Sequence, residues 1–268
     1  MTAVRIRREP QVMHLLLDGE DTLNSLDPNA LDDLEAAVAE AEEDEDLRAV
    51  VITGAGSKAF SVGMDITFLG RCFDDLPGTF VPFLRRMHAV LRRIEQLPVP
   101  VIARVNGLAR AGGFELILAC DIVVTVDYAR VGDVHVAFGV PPGGGASQRA
   151  VRRLGEQRAK ALVLTSDWLD AGTMVQWGLA LSSVPQNSID DEVERLLSAL
   201  RGRSRPALAA TKRAMGVAYD TTLDEGLEYE VQLFECLMES TPDLDEGYRA
   251  FVEGRDPIWG SADVRHIR

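Results

Sequence analysis

The stretch PVPVIARVNGLARAGGFELILACD, residues 98–121, decides how this chain is read. Val99 to Val105 is apolar apart from Arg104 and has the length of a buried strand. Pro98 closes whatever helix precedes it, and Asn106-Gly107 ends the strand. Gly112-Gly113 then opens a short helix. The first N–H groups of a helix have no intrahelical acceptor, and without side chains in the way they can stabilise an anion or a developing oxyanion. Glu115 follows Gly112 by three residues and shares its helical face. A carboxylate one turn from an oxyanion site is placed to work as a general base or acid. The same residues also read as close helix packing with a polar residue on a short helix, and this stretch alone leaves both readings open.

Working outward, strands and helices alternate. Val4–Arg7 and Val12–Leu17 read as strands joined by a turn at Glu9-Pro10. Asp27 before Pro28 is a strong helix start, and Leu31, Leu34, Val38 and Ala41 follow at helical spacing until the acidic run Glu42–Asp46. Ala49–Thr53 is a buried strand. Phe80, Phe83, Leu84, Met87, Leu91 and Ile94 mark an amphipathic helix ended at Leu97-Pro98. A further strand is expected at Ile122–Val126. This rhythm implies an α/β core. From Gly143 onward the pattern is helical: Ser188 caps a helix with Asp190, Asp191 and Glu192 in its first turn, and Pro206–Tyr219 and Leu223–Glu239 follow. Such a tail can fold back on its own core or pack on a neighbouring subunit. The expectation is one chain-long unit, with a core over residues 1–200 and a helical region over 201–268.

The bulk numbers exclude several classes. With 268 residues, 46% of them hydrophobic, the chain can bury a sizeable core. Its 28 basic and 42 acidic residues leave a net charge of −14, which makes nucleic acid an unsuitable partner. No apolar run approaches the roughly 20 residues of a membrane span. The N-terminus MTAVRIRREP has no apolar signal region, so a cytoplasmic protein is expected. Cys72, Cys120 and Cys236 form neither a disulfide framework nor a zinc pattern, and Cys120 reads as core.

A second glycine-rich stretch, Ala49-Val-Val-Ile-Thr-Gly-Ala-Gly-Ser-Lys-Ala-Phe-Ser-Val-Gly-Met-Asp65, satisfies the loose dinucleotide pattern at Gly54–Ala59. That pattern requires an apolar helix after the turn and an acidic residue ending the next strand. Phe60-Ser61-Val62-Gly63 does not read as a helix interior, and no strand precedes Asp74-Asp75. The dinucleotide reading, and the oxidoreductase it would imply, is weak.

Taken together, these segments resemble the enoyl-CoA hydratase/isomerase (crotonase) family. The resemblance rests on Thr53–Asp65, on Pro100–Asp121 with Ala111 in place of a glycine, and on Gly139-Val-Pro-Pro-Gly-Gly-Gly-Ala-Ser-Gln-Arg149. Asn24-Ser25-Leu26, Trp177-Gly178-Leu179 and Ala250–Pro257 resemble family positions as well. The resemblance implies an α/β fold, a crotonase-like spiral of ββα units with a C-terminal helical region. It also implies a homotrimer, or a hexamer built as a dimer of trimers. It places oxyanion-hole N–H donors at Met64 and Gly112 and a catalytic carboxylate at Glu115. The substrate would be a coenzyme A thioester, with no bound prosthetic group and no metal. Lys58, Asp65 and Lys212 become candidate CoA-binding residues, and Phe68, Leu69 and Phe73 candidate acyl-pocket residues.

One departure bears on the reaction. The family's hydratases use two glutamates, and the second falls on His135 in Gly132-Asp-Val-His-Val-Ala-Phe138. Histidine can donate and accept protons near neutral pH, but its shape, charge and reach differ from those of a carboxylate. A C–C bond hydrolase branch carries histidine near this position, and also an aspartate where this chain has Gly144. The expectation is therefore a lyase or isomerase using Glu115 and His135. Two alternatives stand beside it: a hydrolase of a keto or cyclic acyl substrate, and an acyl-CoA binding protein of weak activity.

Overall fold

A computed structural model of the protein describes residues 2–260, so residues 261–268 of the expected C-terminal region lie outside the described residues. The strands are β1 (Ala3–Glu9), β2 (Val12–Asp18), β3 (Ala49–Gly54), β4 (Ala59–Ser61), β5 (Val101–Val105), β6 (Leu108–Arg110), β7 (Ile122–Val126), β8 (Arg130–Gly132), β9 (Leu169–Asp170) and β10 (Ser182–Val184). The α-helices are α1 (Pro28–Glu43), α2 (Ile66–Cys72), α3 (Val81–Gln96), α4 (Gly112–Leu118), α5 (Ala146–Leu154), α6 (Glu156–Thr165), α7 (Ala171–Trp177), α8 (Ile189–Arg201), α9 (Arg205–Gly216), α10 (Leu223–Ser240) and α11 (Asp243–Glu253).

The strands divide between a six-stranded sheet, β1-β2-β3-β5-β7-β10, and a four-stranded sheet, β4-β6-β8-β9. The pairs β3/β4, β5/β6 and β7/β8 each send their first strand to the large sheet and their second to the small one, and successive pairs run parallel. Helices follow each pair. This is the expected spiral of ββα units, and its consequence is that equivalent turns stack along one side of the molecule. β3, β5 and β7 are buried almost throughout, as parallel strands covered on both faces must be.

Local chemistry explains most boundaries. Asp27 accepts the Ala30 N–H at 2.9 Å and starts α1, whose Leu31, Leu34 and Val38 are wholly buried; each such side chain contributes about 1.5–3 kcal/mol on burial. The strand expected from Val99 begins instead at Val101, because Pro100 has no N–H for the ladder. Ser188 precedes α8 but its side chain makes no capping bond, leaving the acidic first turn to meet the helix dipole. Cys120 is fully buried, and burial pushes its thiol up to about 12, as a core cysteine requires. Cys236 is exposed. Among the described residues no helix is long and apolar enough to cross a membrane.

Two buried asparagines shape the turn between β3 and β4. Asn106 donates to the carbonyls of Gly54, Gly56 and Ala59 and accepts the Gly54 N–H. Asn24 donates to the carbonyls of Ala55 and Ala59 and accepts the Gly19 N–H. Together they fold residues 54–58 into a tight loop that runs into a strand rather than a helix. The dinucleotide reading of Gly54–Ala59 fails on that geometry.

Candidate active site

The site is built where two ββα turns meet. After β4 the chain passes through Gly63, at φ +80, a conformation that only glycine adopts without strain. Leu26 donates to Gly63 O and accepts the Asp65 N–H, so the bridge to Leu26 leaves the Met64 N–H unused. At the next turn Gly112 is the first residue of α4, and its N–H has no intrahelical acceptor. Among the described residues neither amide donates to a protein acceptor. The two positions touch. A Cβ on Gly63 would lie 2.6 Å from the Gly112 nitrogen, and a Cβ on Gly112 would lie 3.2 Å from Gly63 Cα and 3.6 Å from the Met64 nitrogen. Ala111, which aims α4, sits at φ 48 and ψ −120, a backbone state favoured by glycine.

Glu115 is 2% exposed. Its Oε1 accepts the N–H groups of Gly144 at 2.7 Å and Ala146 at 3.1 Å, which leaves Oε2 for chemistry. Burial raises its carboxyl above the usual carboxylate range, against the opposing pull of His135 and of those two N–H groups. His135 lies just after β8, with its Nδ1 3.0 Å from Asp133 Oδ1. Burial disfavours its charged form, but the hydrogen bond to Asp133 and the charge of Glu115 prevail and hold its pKa above the ordinary imidazole value. Glu115, Asp133 and His135 bring donor atoms within 4.8 Å of one another.

Comparisons with known proteins identify the family. The family model for enoyl-CoA hydratase/isomerase matches residues 7–262. The chain belongs to the enoyl-CoA hydratase/isomerase family. It is 33% identical to the probable enoyl-CoA hydratase of Mycobacterium bovis, over 95% of this chain and 96% of that protein. It is 31% identical to the short-chain-enoyl-CoA hydratase of Clostridium acetobutylicum, over 94% and 95% of the two chains. The crystal structure of an enoyl-CoA hydratase from Bacillus anthracis superposes with a TM-score of 0.90 at 30% identity, covering 96% of this chain and 98% of that one. The crotonase-type fold expected from the sequence is therefore present.

Within this enoyl-CoA hydratase/isomerase family member, the residues singled out from the sequence fall into two groups. Met64, Gly112, Glu115 and His135 converge as described. The others are dispersed or already engaged. Asp65 caps α2 by accepting the Phe68 N–H at 2.8 Å and also accepts from Ser25 Oγ. Lys58 is exposed in the turn before β4. Lys212 reaches from α9 to Asp121 Oδ2 at 2.6 Å and to the carbonyls of Val99 and Ile94. Asp121 lies nine residues past Gly112, at the opposite end of α4 from the unused amide. Phe68 packs against Phe83 with ring centroids 5.0 Å apart, Leu69 is half-buried, and Phe73 points outward, 67% exposed.

Three contributors were not singled out as site residues. Met87 of α3 brings its Cε to 3.5 Å from a Cβ built on Gly112, and Leu84 packs over Gly143. Asp133 pairs with His135; its signal was its place two residues before that histidine. The geometry also bears on Gly144, since a Cβ there would lie 2.3 Å from Glu115 Oε2. An aspartate there, as in the C–C hydrolase branch, would displace the Glu115 carboxylate from its present position.

Lys212 gives the first test. Replacing it with Met removes the cation paired with Asp121 and the tie from α9 to the carbonyls of Ile94 and Val99, so Lys212→Met is expected to cost about 1–3 kcal/mol of stability. A lower melting temperature with unchanged KM for an acyl-CoA fits that role. An unchanged melting temperature with a raised KM would assign Lys212 to CoA instead.

Proposed function

We propose that the protein converts an acyl-CoA thioester by way of an enolate, as an enoyl-CoA hydratase or isomerase. The observation that carries this reading is the pair of unused, adjacent amides at Met64 and Gly112 beside the buried Glu115. A thioester oxygen held between the two N–H groups gains negative charge when a proton leaves Cα or when water adds at Cβ. One such fixed donor is worth about 3–4 kcal/mol in the transition state, because it needs no reorganisation as charge develops.

In the hydration direction Glu115 Oε2 takes a proton from water as the oxygen bonds to Cβ. The electrons of the C=C bond move onto the thioester as an enolate held by the two amides. The His135 imidazolium then protonates Cα, and the proton on Glu115 returns to the imidazole. Isomerisation uses the same parts with Cα and Cγ as the proton donor and acceptor. Lys58, exposed in its turn, is a cation available to meet a CoA phosphate, and the α2–α3 segment from Phe68 through Met87 would border the acyl chain.

The C–C hydrolase reading is disfavoured by glycine at position 144, where that branch carries an aspartate. The reading as a mere acyl-CoA binder is disfavoured by the paired acid and base beside the amides.

A homotrimer, or a hexamer of two trimers, completes the proposal. α10 packs chiefly against α9, and Leu223, Leu227, Val231, Phe234 and Met238 recur at helical spacing while each remains at least half exposed. A stripe of that kind needs a partner, and a second copy of the chain is the simplest one.

Two experiments check these statements. With a short saturated acyl-CoA in deuterated water, NMR is expected to show exchange of the Cα protons. His135→Gln, at the residue that carries the Cα proton, is expected to slow it by roughly 10²–10⁴-fold while leaving binding intact; binding without exchange in the unaltered enzyme would contradict the reading. Phe234→Glu is expected to convert the assembly to monomers in light scattering, and an unaltered mass would remove α10 from the interface.

A further inference from the structure

Asp133 is wholly buried, and its Oδ2 has no hydrogen-bond partner among the described residues. A buried carboxylate is costly unless a nearby positive charge or donor compensates it. Its Oδ1 accepts twice from one residue, from the His135 backbone N–H at 3.2 Å and from Nδ1 at 3.0 Å. This double contact depends on Val134, which lies at φ +56. For a β-branched side chain that is a strained state, costing on the order of 1–3 kcal/mol. The strain folds the chain back so that residues 133 and 135 meet. The backbone of the same residue reaches the other half of the site, because Asp133 O accepts the Ala111 N–H at 3.1 Å, immediately before α4.

We propose that Asp133 is a positioning residue that fixes His135 as an imidazolium with Nε2 turned to the substrate, making His135 the acid and Glu115 the base. This rests on the enolate reading given above. With Nδ1 spent on Asp133, only Nε2 can deliver a proton. The arrangement replaces two carboxylates with a carboxylate–imidazolium–carboxylate cluster in which the acid and the base differ chemically from the start.

Other charged groups do not compete for the imidazole. Glu115 faces it from α4. On α5, Arg149 holds Gly144 O and is paired with Glu95. On α3, His88 donates to Gly143 O. Behind the loop, Asp167 accepts the Trp168 N–H, and the neutral Ser166 accepts the Ala137 N–H.

The acid must be protonated to act, so activity is lost as pH rises through the His135 pKa, and removing the Asp133 charge moves that loss to lower pH. The test uses Asp133→Asn, which keeps the shape and one acceptor. With crotonyl-CoA as probe, kcat is expected to fall roughly 10²-fold with KM little changed, and the alkaline limb to move to lower pH. A proton NMR titration reads the same residue without turnover; His135→Gln identifies its signal among the four histidines. In the unaltered enzyme His135 is expected to titrate above ordinary imidazole, and in Asp133→Asn lower than in the unaltered enzyme. A His135 that titrates at or below ordinary imidazole in the unaltered enzyme overturns the proposal, even if Asp133→Asn does not fold. So does an unchanged pH profile in that variant. Should no acyl-CoA be converted at all, the enolate reading fails while the titration still decides the pairing.

Discussion

The backbones at Gly63 and Gly112 approach so closely that no side chain fits between them, and the rest of the site depends on that approach. A Cβ on Gly63 would lie 2.6 Å from the Gly112 nitrogen, so any larger residue pushes the two turns apart. The spiral makes the approach possible. Each ββα unit delivers a turn to the same side, and the parallel pairing of β4 with β6 sets the spacing between consecutive turns. Leu26, which donates to Gly63 O and accepts the Asp65 N–H, then holds the first turn, while the Ala111 N–H, shared between Gly132 O and Asp133 O, holds the second. Dipoles fixed this firmly stabilise charge as it develops, because their reorganisation was completed during folding.

Around these amides the protein buries two carboxylates, Glu115 and Asp133, beside the half-buried His135. Glu115 is supported by two backbone N–H groups, which moderates the rise in its pKa without discharging its free oxygen. Asp133 is supported by His135. Each ionised carboxylate is costly alone, and the imidazolium offsets both. A buried cluster of this kind is expensive to keep, which points to chemistry rather than stability as the reason for it. The strained backbone at Ala111 and Val134 lies at the two points where the chain enters this cluster.

Much of this could be read from the sequence. The apolar runs at Ala49–Thr53, Val99–Val105 and Ile122–Val126 marked the parallel strands, and Gly112-Gly113 before Glu115 marked a helix N-terminus with a carboxylate on its face. These are local signals, and local signals survive without coordinates. The pairing of Asp133 with His135 did not survive, because it requires positive φ at a valine, which no propensity argument would assign. The engagement of Lys212 with Asp121 was equally hidden, since 91 residues separate the two and only the packing of α9 brings them together. Phe73 was grouped with the acyl pocket by its neighbourhood, yet it faces outward where α2 ends. Which side chains line a pocket depends on helix rotation, and a seven-residue helix is too short for periodicity to fix it.

The account turns on whether the Met64 and Gly112 amides polarise a thioester carbonyl. The direct measurement is difference vibrational spectroscopy of an acyl-CoA carrying ¹³C at the thioester carbonyl, bound to the unaltered protein and to Gly63→Ala. The predicted result is a carbonyl stretch lowered on binding to the unaltered protein, with the shift largely lost in the variant. A bound thioester whose carbonyl frequency matches that in water with both proteins would contradict the account.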